Sequence, residues 1–202
     1  MTKITDRHYL DPESILRQVK LGPRMRVGDF GCGGGCYFSI AAAQQVGEKG
    51  MVYAVDVFKP ALSACQSKAR LANLATIKLV WSDLEVFRGA RTIPDNSLDL
   101  GLIVNTLHQS RKRNALFKET MRMVKPGGTM LVIDWELTGF GFGPEKNDLV
   151  PAEEVERLAQ EAGLRKTGQF QPSRYHYALV FEKKNQESWI ENQGRSVTFH
   201  DS

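Results

Sequence analysis

Cysteine is scarce in this chain: three residues, Cys32, Cys36 and Cys65, in 202. An odd number, in a chain long enough to bury its own core, excludes a disulfide-stapled scaffold and fits a reducing compartment. Long apolar runs are missing as well. None approaches the roughly 20 residues that a membrane-spanning helix requires, and the opening Met1-Thr2-Lys3-Ile4-Thr5-Asp6-Arg7 lacks the apolar stretch of a secretory signal. A cytoplasmic protein is therefore expected. Charge of one sign is not concentrated either: 27 Lys and Arg against 23 Asp and Glu leave a formal charge of +4. That balance permits an acidic or nucleic-acid partner without favouring one, because the basic residues form short clusters and no stripe of the kind a duplex binder uses. Cys32 and Cys36 stand one residue too far apart for a redox pair, and no second ligand pair at zinc spacing follows. No metal is expected, and both are read as small packing residues.

What is present is a pattern of alternation. Residues 25–30, 51–55, 77–81, 98–104 and 129–135 are short, nearly continuous runs rich in Val, Ile and Leu, the mark of strands buried on both faces of a parallel sheet. Between them lie helix-like segments at 37–46, 60–72 and 114–124, long enough to cross over. Repeated βα units of this kind predict an α/β, doubly wound, mostly parallel sheet with helices on both faces. An N-terminal helix is expected over this core, capped by Asp11, opened by Pro12 and apolar at Ile15, Leu16 and Val19, ending at Gly22-Pro23. A second runs from Pro151 to Gly163 with Val155, Leu158, Ala159 and Ala162 on one face. Residues 164–171 and 175–183, separated by Pro172-Ser173-Arg174, predict an antiparallel hairpin whose second strand has one greasier face. One domain over 1–184 is expected, with 1–22 as its helical cover. The polar stretch 185–202, bearing Trp189 and Phe199, reads as a tail.

The chemistry concentrates at Val27-Gly28-Asp29-Phe30-Gly31-Cys32-Gly33-Gly34-Gly35. A buried strand delivers a glycine turn that opens into a helix, where the backbone must adopt unusual dihedrals and admit a ligand. The dinucleotide pattern fails, because its third glycine would fall at Cys36. The spacing is instead Asp29-x-Gly31-x-Gly33-x-Gly35. A carboxylate ahead of the glycines suits an ammonium group and repels a diphosphate, with capping of the turn as the plainer role for Asp29.

These residues resemble the first motif of the class I S-adenosylmethionine-dependent methyltransferases, and the likeness continues from about Gly22 to Lys183. Asp56, closing Tyr53-Ala54-Val55-Asp56, resembles the family's ribose-binding acid, with Val57 against the adenine. Asp83 and Leu84 after the third strand look like the adenine-facing pair, although Ser82-Asp83 could simply cap a short helix. Asn105, ending the fourth strand, is expected at the sulfonium region. Val124-Lys125-Pro126-Gly127-Gly128 is also familiar in the family. The resemblance implies a Rossmann-like, seven-stranded sheet with a C-terminal antiparallel hairpin and S-adenosylmethionine as methyl donor. It implies cofactor contacts from Asp29, Gly31, Cys32, Gly33, Gly35, Asp56, Val57, Asp83, Leu84 and Asn105. Within the family the texture is similar to the branch that includes ubiquinone and menaquinone C-methyltransferases.

The acceptor side is less marked. His108, just past the fourth strand, is a candidate base or substrate-orienting group, or a histidine at a helix edge with no chemical duty. Glu136 is a second catalytic candidate, beside Asp134. Arg111-Lys112-Arg113 opposes the dipole of the helix it precedes, which fits attraction of an anionic substrate as well as plain solvation. Gly139-Phe140-Gly141-Phe142-Gly143-Pro144 reads as a flap or an ordinary loop. The segment Asn105-Thr106-Leu107-His108 lacks the Pro-Pro-aromatic run of many base-amine methyltransferases. Cys65 alone does not supply the thiols an arsenite acceptor needs. A small-molecule acceptor is expected ahead of RNA or protein.

Overall fold

The computed structural model describes residues 10–136 and 143–184. Seven strands form one sheet in the order β3-β2-β1-β4-β5-β7-β6. They are β1 (Arg26–Phe30), β2 (Met51–Asp56), β3 (Ile77–Trp81), β4 (Leu98–Val104), β5 (Val124–Trp135), β6 (Leu164–Ser173) and β7 (His176–Lys183). The first five pair in parallel, while β7 runs antiparallel to β5 and to β6. Strand order reverses between β1 and β4, and at such a switch point a cleft opens beyond the carboxyl ends of the strands.

Alternation along each strand feeds two cores. Met130 and Val132 of β5, with Tyr177, Leu179 and Phe181 of β7, pack against α4 (Arg113–Met123) and α5 (Ala152–Glu161) through Leu116, Phe117, Val155 and Leu158. Leu131, Ile133 and Ala178 face the other way, sharing a core with Ile15 and Leu16 of α1 (Pro12–Gln18) and Phe38, Ala41 and Ala42 of α2 (Tyr37–Val46). On that face, α3 (Lys59–Leu71) buries Cys65 against Ala54.

The local signals act as expected. The Asp11 side chain accepts from the Ser14 amide at 3.3 Å, and Pro12 opens α1. Pro151 precedes α5, Glu153 and Glu154 face the positive end of its dipole, and Gly163 ends it at φ +88°. Four expectations need correction. α1 stops at Gln18, with Val19 as its C-cap, short of Gly22-Pro23. β5 begins at Val124, because that residue pairs with Leu98 across an irregularity in the register. The hairpin turn falls at Arg174 and Tyr175, so Ser173 belongs to β6 and Tyr175 lies outside β7. And β7 is buried on both faces, since it lies between β5 and β6 with a helical layer on each side. The flap residues 139–142 and the tail 185–202 lie outside the described residues, as do residues 1–9 of the N-terminal cover.

Candidate functional site

The glycine loop is held by main-chain bonds. The amides of Gly31 and Cys32 both donate to the Val55 carbonyl, at 2.8 and 3.0 Å. Gly31 sits at φ +83°, and a Cβ there would overlap the Thr106 side chain, whose hydroxyl is shared between the Phe30 and Val104 carbonyls. Only glycine satisfies both conditions. Gly33, at φ +59°, donates its amide to Asp56 Oδ2 at 2.9 Å. The other carboxylate oxygen accepts from the Phe58 amide at 2.8 Å. Asp56 therefore ties the loop to the start of α3, and each oxygen keeps a lone pair for a further donor. The ammonium of Lys68 pins the loop from behind by donating to the carbonyls of Gly34 and Gly35.

A cleft of about 390 Å³ opens beside this loop, lined by Gly31, Gly33, Asp56, Val57, Asp83 and Leu84, with Ser82, Glu85, Thr106, Gln109, Ser110 and Leu116 completing it. Six of the expected cofactor residues thus share one cavity. Its described lining carries three carboxylates and no Lys, Arg or His, so a diphosphate would meet repulsion without a compensating cation. Two buried polar atoms at this end of the sheet, Ser82 Oγ and Asn105 Oδ1, have no hydrogen-bond partner among the described residues. Such atoms call for a ligand or water. Asp83 accepts from the Glu85 amide at 2.8 Å, an Asx-type turn that leaves one oxygen open. Asn105 adopts φ +51°, a left-handed conformation for a non-glycine residue that recurs at functional sites.

Asp29 lies beneath the loop and not along the cleft. It is 2% exposed, and its carboxylate accepts from the Ser39 hydroxyl at 2.5 Å on the first turns of α2. Burial pushes its pKa up to about 6, against the opposing hydrogen bonds from Ser39. Its observed partner is Ser39, the third residue of α2. Cys32 and Gly35 belong to the loop but not to the cleft lining. Burial, then the nearby charges of Asp29 and Asp56, drive the Cys32 thiol far above its ordinary range, so it stays protonated. Cys36 needs correction: it is joined to Cys65 in a disulfide, with Cα atoms 5.2 Å apart. A separation of 29 positions hid this pairing, which arises only when α3 packs beside the start of α2.

A second polar group lies past β4 and β5. Asp134 is fully buried, and its Oδ1 is 2.9 Å from Nδ1 of His108. The remaining capacity of Asp134 is taken by the amides of Leu107 at 3.0 Å, His108 at 3.4 Å and Trp135 at 2.9 Å. A carboxylate so surrounded is fixed in place, and it orients the imidazole with Nδ1 as donor and Nε2 as acceptor. Close by, His176 rests against the Trp135 ring, centroids 4.4 Å apart, with Nδ1 2.7 Å from Ser173 Oγ. Burial, aided by His108, depresses its pKa to about 4 despite Asp134, and its Nε2 has no partner among the described residues. Glu136 follows β5, its amide donating to the Tyr175 carbonyl at 2.8 Å.

The His108–Asp134 pairing and His176 escaped the sequence reading. A signal was available for the first: a bare acid closing the apolar run Leu131-Val132-Ile133 needs a buried partner, the same reasoning that singled out Asp56. The Arg111-Lys112-Arg113 cluster is less disfavoured than its sequence suggests. Glu85 accepts from the Ser110 hydroxyl and the Arg111 and Lys112 amides, placing a carboxylate at the start of α4. Arg113 donates to the Leu107 and Asp148 carbonyls.

Comparison with known proteins agrees with this geometry. A family model described as "Methyltransferase domain" matches residues 28–132. The chain is 29% identical over 137 residues to a demethylmenaquinone methyltransferase of Geobacillus kaustophilus (strain HTA426), covering 67% of this chain and 56% of that protein. A demethylmenaquinone methyltransferase of Bacillus mycoides (strain KBAB4) is 28% identical, over 63% of this chain and 52% of that one. The chain thus spans little more than half the length of these curated relatives. Among solved structures, a SAM-dependent methyltransferase from Aquifex aeolicus superposes with a TM-score of 0.77 at 26% identity, covering 85% of this chain and 89% of the other. The [4+2]-cyclase SpnF reaches 0.72 at 15% identity, covering 86% and 80%, a likeness of fold alone.

Proposed function

Because this chain belongs to the class I S-adenosylmethionine-dependent methyltransferase family, we propose that it transfers a methyl group from S-adenosylmethionine to a small organic acceptor by direct displacement. The observation that carries the cofactor reading is a cleft with a two-oxygen acid beside an amide-rich glycine loop and no cation among the described lining residues. When bound, S-adenosylmethionine supplies an already activated methyl on a sulfonium centre.

The chain's own residues divide the remaining work. Asp56 would accept the ribose hydroxyls through its spare lone pairs, each charge-assisted bond contributing roughly 1.5–3 kcal/mol. Val57 and Leu84 would flank the purine and Asp83 would receive its amino group. Gly31, Cys32, Gly33 and Gly35 would present backbone to the ligand, and Asn105 would offer its unpartnered amide oxygen near the sulfonium end. Asp29 would act from below, by fixing the loop through Ser39. On the other side of the switch point, Asp134 holds His108 so that Nε2 can take a proton from an acceptor O–H, N–H or activated C–H as the methyl arrives. Glu136 would flank that acceptor. The likeness to demethylmenaquinone methyltransferases supports a quinol-like organic acceptor.

Calorimetric titration tests the reading. S-adenosylmethionine should bind, NADH should not, and Asp56→Ala should remove the S-adenosylmethionine signal. An acceptor panel that includes demethylated quinols should yield S-adenosylhomocysteine only when an acceptor is present. Binding of NADH in preference to S-adenosylmethionine would defeat the proposal, as would tight cofactor binding without turnover on the panel.

A further inference from the structure

Large apolar side chains left in water are unevenly placed on this protein. Tyr37, Val57, Phe58, Trp81, Val86 and Phe87 are each 52–70% exposed. All six lie on the segments that follow β1, β2 and β3 or at the last residue of β3, the same edge of the sheet as the cleft mouth. The remaining exposed large hydrophobic among the described residues, Leu71, ends α3 at the opposite edge. A cluster of this kind marks an interaction surface.

Charge accompanies it. Lys59 Nζ lies 4.4 Å from the Trp81 ring centroid, Lys68 Nζ 5.1 Å from that of Tyr37, and the Arg88 guanidinium 5.6 Å from that of Phe87. Arg111 and Lys112 stand exposed at the start of α4 on the same edge. The carboxylates of this rim are engaged with protein donors: Asp56 with the Gly33 and Phe58 amides, Asp83 with the Glu85 amide, and Glu85 with Ser110, Arg111 and Lys112. An amide or hydroxyl donor cancels no charge, and Arg88 is paired with Asp95 at 2.8 Å. Beside its apolar side chains the rim therefore sets Lys59, Lys68, Arg111 and Lys112 against three carboxylates, an excess of one cation.

We propose that this rim docks on the surface of an anionic lipid bilayer, with the cleft mouth facing the membrane. Aromatic and aliphatic side chains interleaved with Lys and Arg match the interfacial region, where rings sit at headgroup level and cations meet anionic lipid. Single-stranded nucleic acid fits less well. Base stacking needs free ring faces, and three of the rings each carry a cation, while Val57 and Val86 contribute nothing to stacking. An acceptor dissolved in the bilayer would then reach the site without crossing water.

Vesicle co-sedimentation, run without cofactor or acceptor, tests this apart from methyl transfer, which stands whichever way the vesicles sediment. The protein should bind phosphatidylcholine vesicles containing phosphatidylglycerol, bind plain phosphatidylcholine vesicles more weakly, and release from the anionic ones as salt rises. The double variant Phe58→Ser/Phe87→Ser should bind about tenfold or more weakly, and Arg111→Ser/Lys112→Ser about fivefold per cation removed. Leu71→Ser should bind like the parent, and all variants should melt as it does. Failure to bind the anionic vesicles would overturn the proposal. So would equal weakening by Leu71→Ser, or tighter binding of a single-stranded RNA oligonucleotide that is lost in the same rim variants.

Discussion

The two halves of the sheet's carboxyl edge are built on opposite plans. Beyond β1, β2 and β3 the polar groups are backbone amides and carboxylates with capacity to spare: Asp56 and Asp83 each keep lone pairs open to the cleft. Beyond β4 and β5 the central acid, Asp134, is fully buried and accepts four hydrogen bonds from the protein itself, leaving the paired His108 as the group able to act. An open acid binds, whereas a saturated acid orients. This difference suits one half to a constant ligand and the other to a proton transfer.

The largest effect that would break the comparison is at His108. His108→Ala should lower kcat by about 10²–10⁴-fold while leaving S-adenosylmethionine affinity within error, because a positioned base contributes on that order. Single-turnover kinetics with separate cofactor titration checks both. A parallel loss of cofactor affinity would mean that the halves are not separable.

Asp56→Ala is the mirror experiment. Losing two charge-assisted bonds of roughly 1.5–3 kcal/mol each should weaken the cofactor by at least about 100-fold, with melting temperature in the absence of ligand little changed. Calorimetry and thermal melts read the two effects.

Asp29 sharpens the contrast within the cofactor half, since it is buried where Asp56 is open. Its folded pKa near 6 lies above its unfolded value of 3.8. The folded state therefore binds more protons between those values, and stability falls as pH rises through that window. A shift of this size corresponds to about 3 kcal/mol, on the order-of-magnitude scale of one pKa unit per 1.36 kcal/mol. Urea midpoints measured across that range should show the decline in the parent and a flatter profile in Asp29→Asn.

The smallest effect concerns the border between the halves. Glu85→Ala removes the carboxylate that receives the Arg111 and Lys112 amides and should cost about 1 kcal/mol, as loss of a helix cap does. A modest drop in melting temperature with unchanged cofactor affinity is the expected readout.

Legibility in the sequence follows the same division. The cofactor half depends on local rules: a strand, a turn that only glycine can make at Gly31, and an acid at the next strand end. Those rules are visible residue by residue, and they placed six expected residues in one cavity. The parallel strands and most helix ends were legible too, because continuous apolar runs, Pro12, Pro151 and Gly163 act over a few residues. The acceptor half depends on encounters across the fold. His108 meets Asp134 26 positions away, Cys36 meets Cys65 across 29, and Trp135 packs against His176 because β7 inserts beside β5. Periodicity carries no information about such partners. It also misled on β7, whose greasier face was legible but whose second buried face depends on the strand order.

The most direct measurement is a crystal structure of the complex with S-adenosylhomocysteine. Both ribose hydroxyls are predicted on the Asp56 carboxylate, with the purine between Val57 and Leu84 and the sulfur on the side of Asn105 and His108. A ligand that leaves Asp56 uncontacted, or one that seats with its sulfur turned away from His108, would contradict the account.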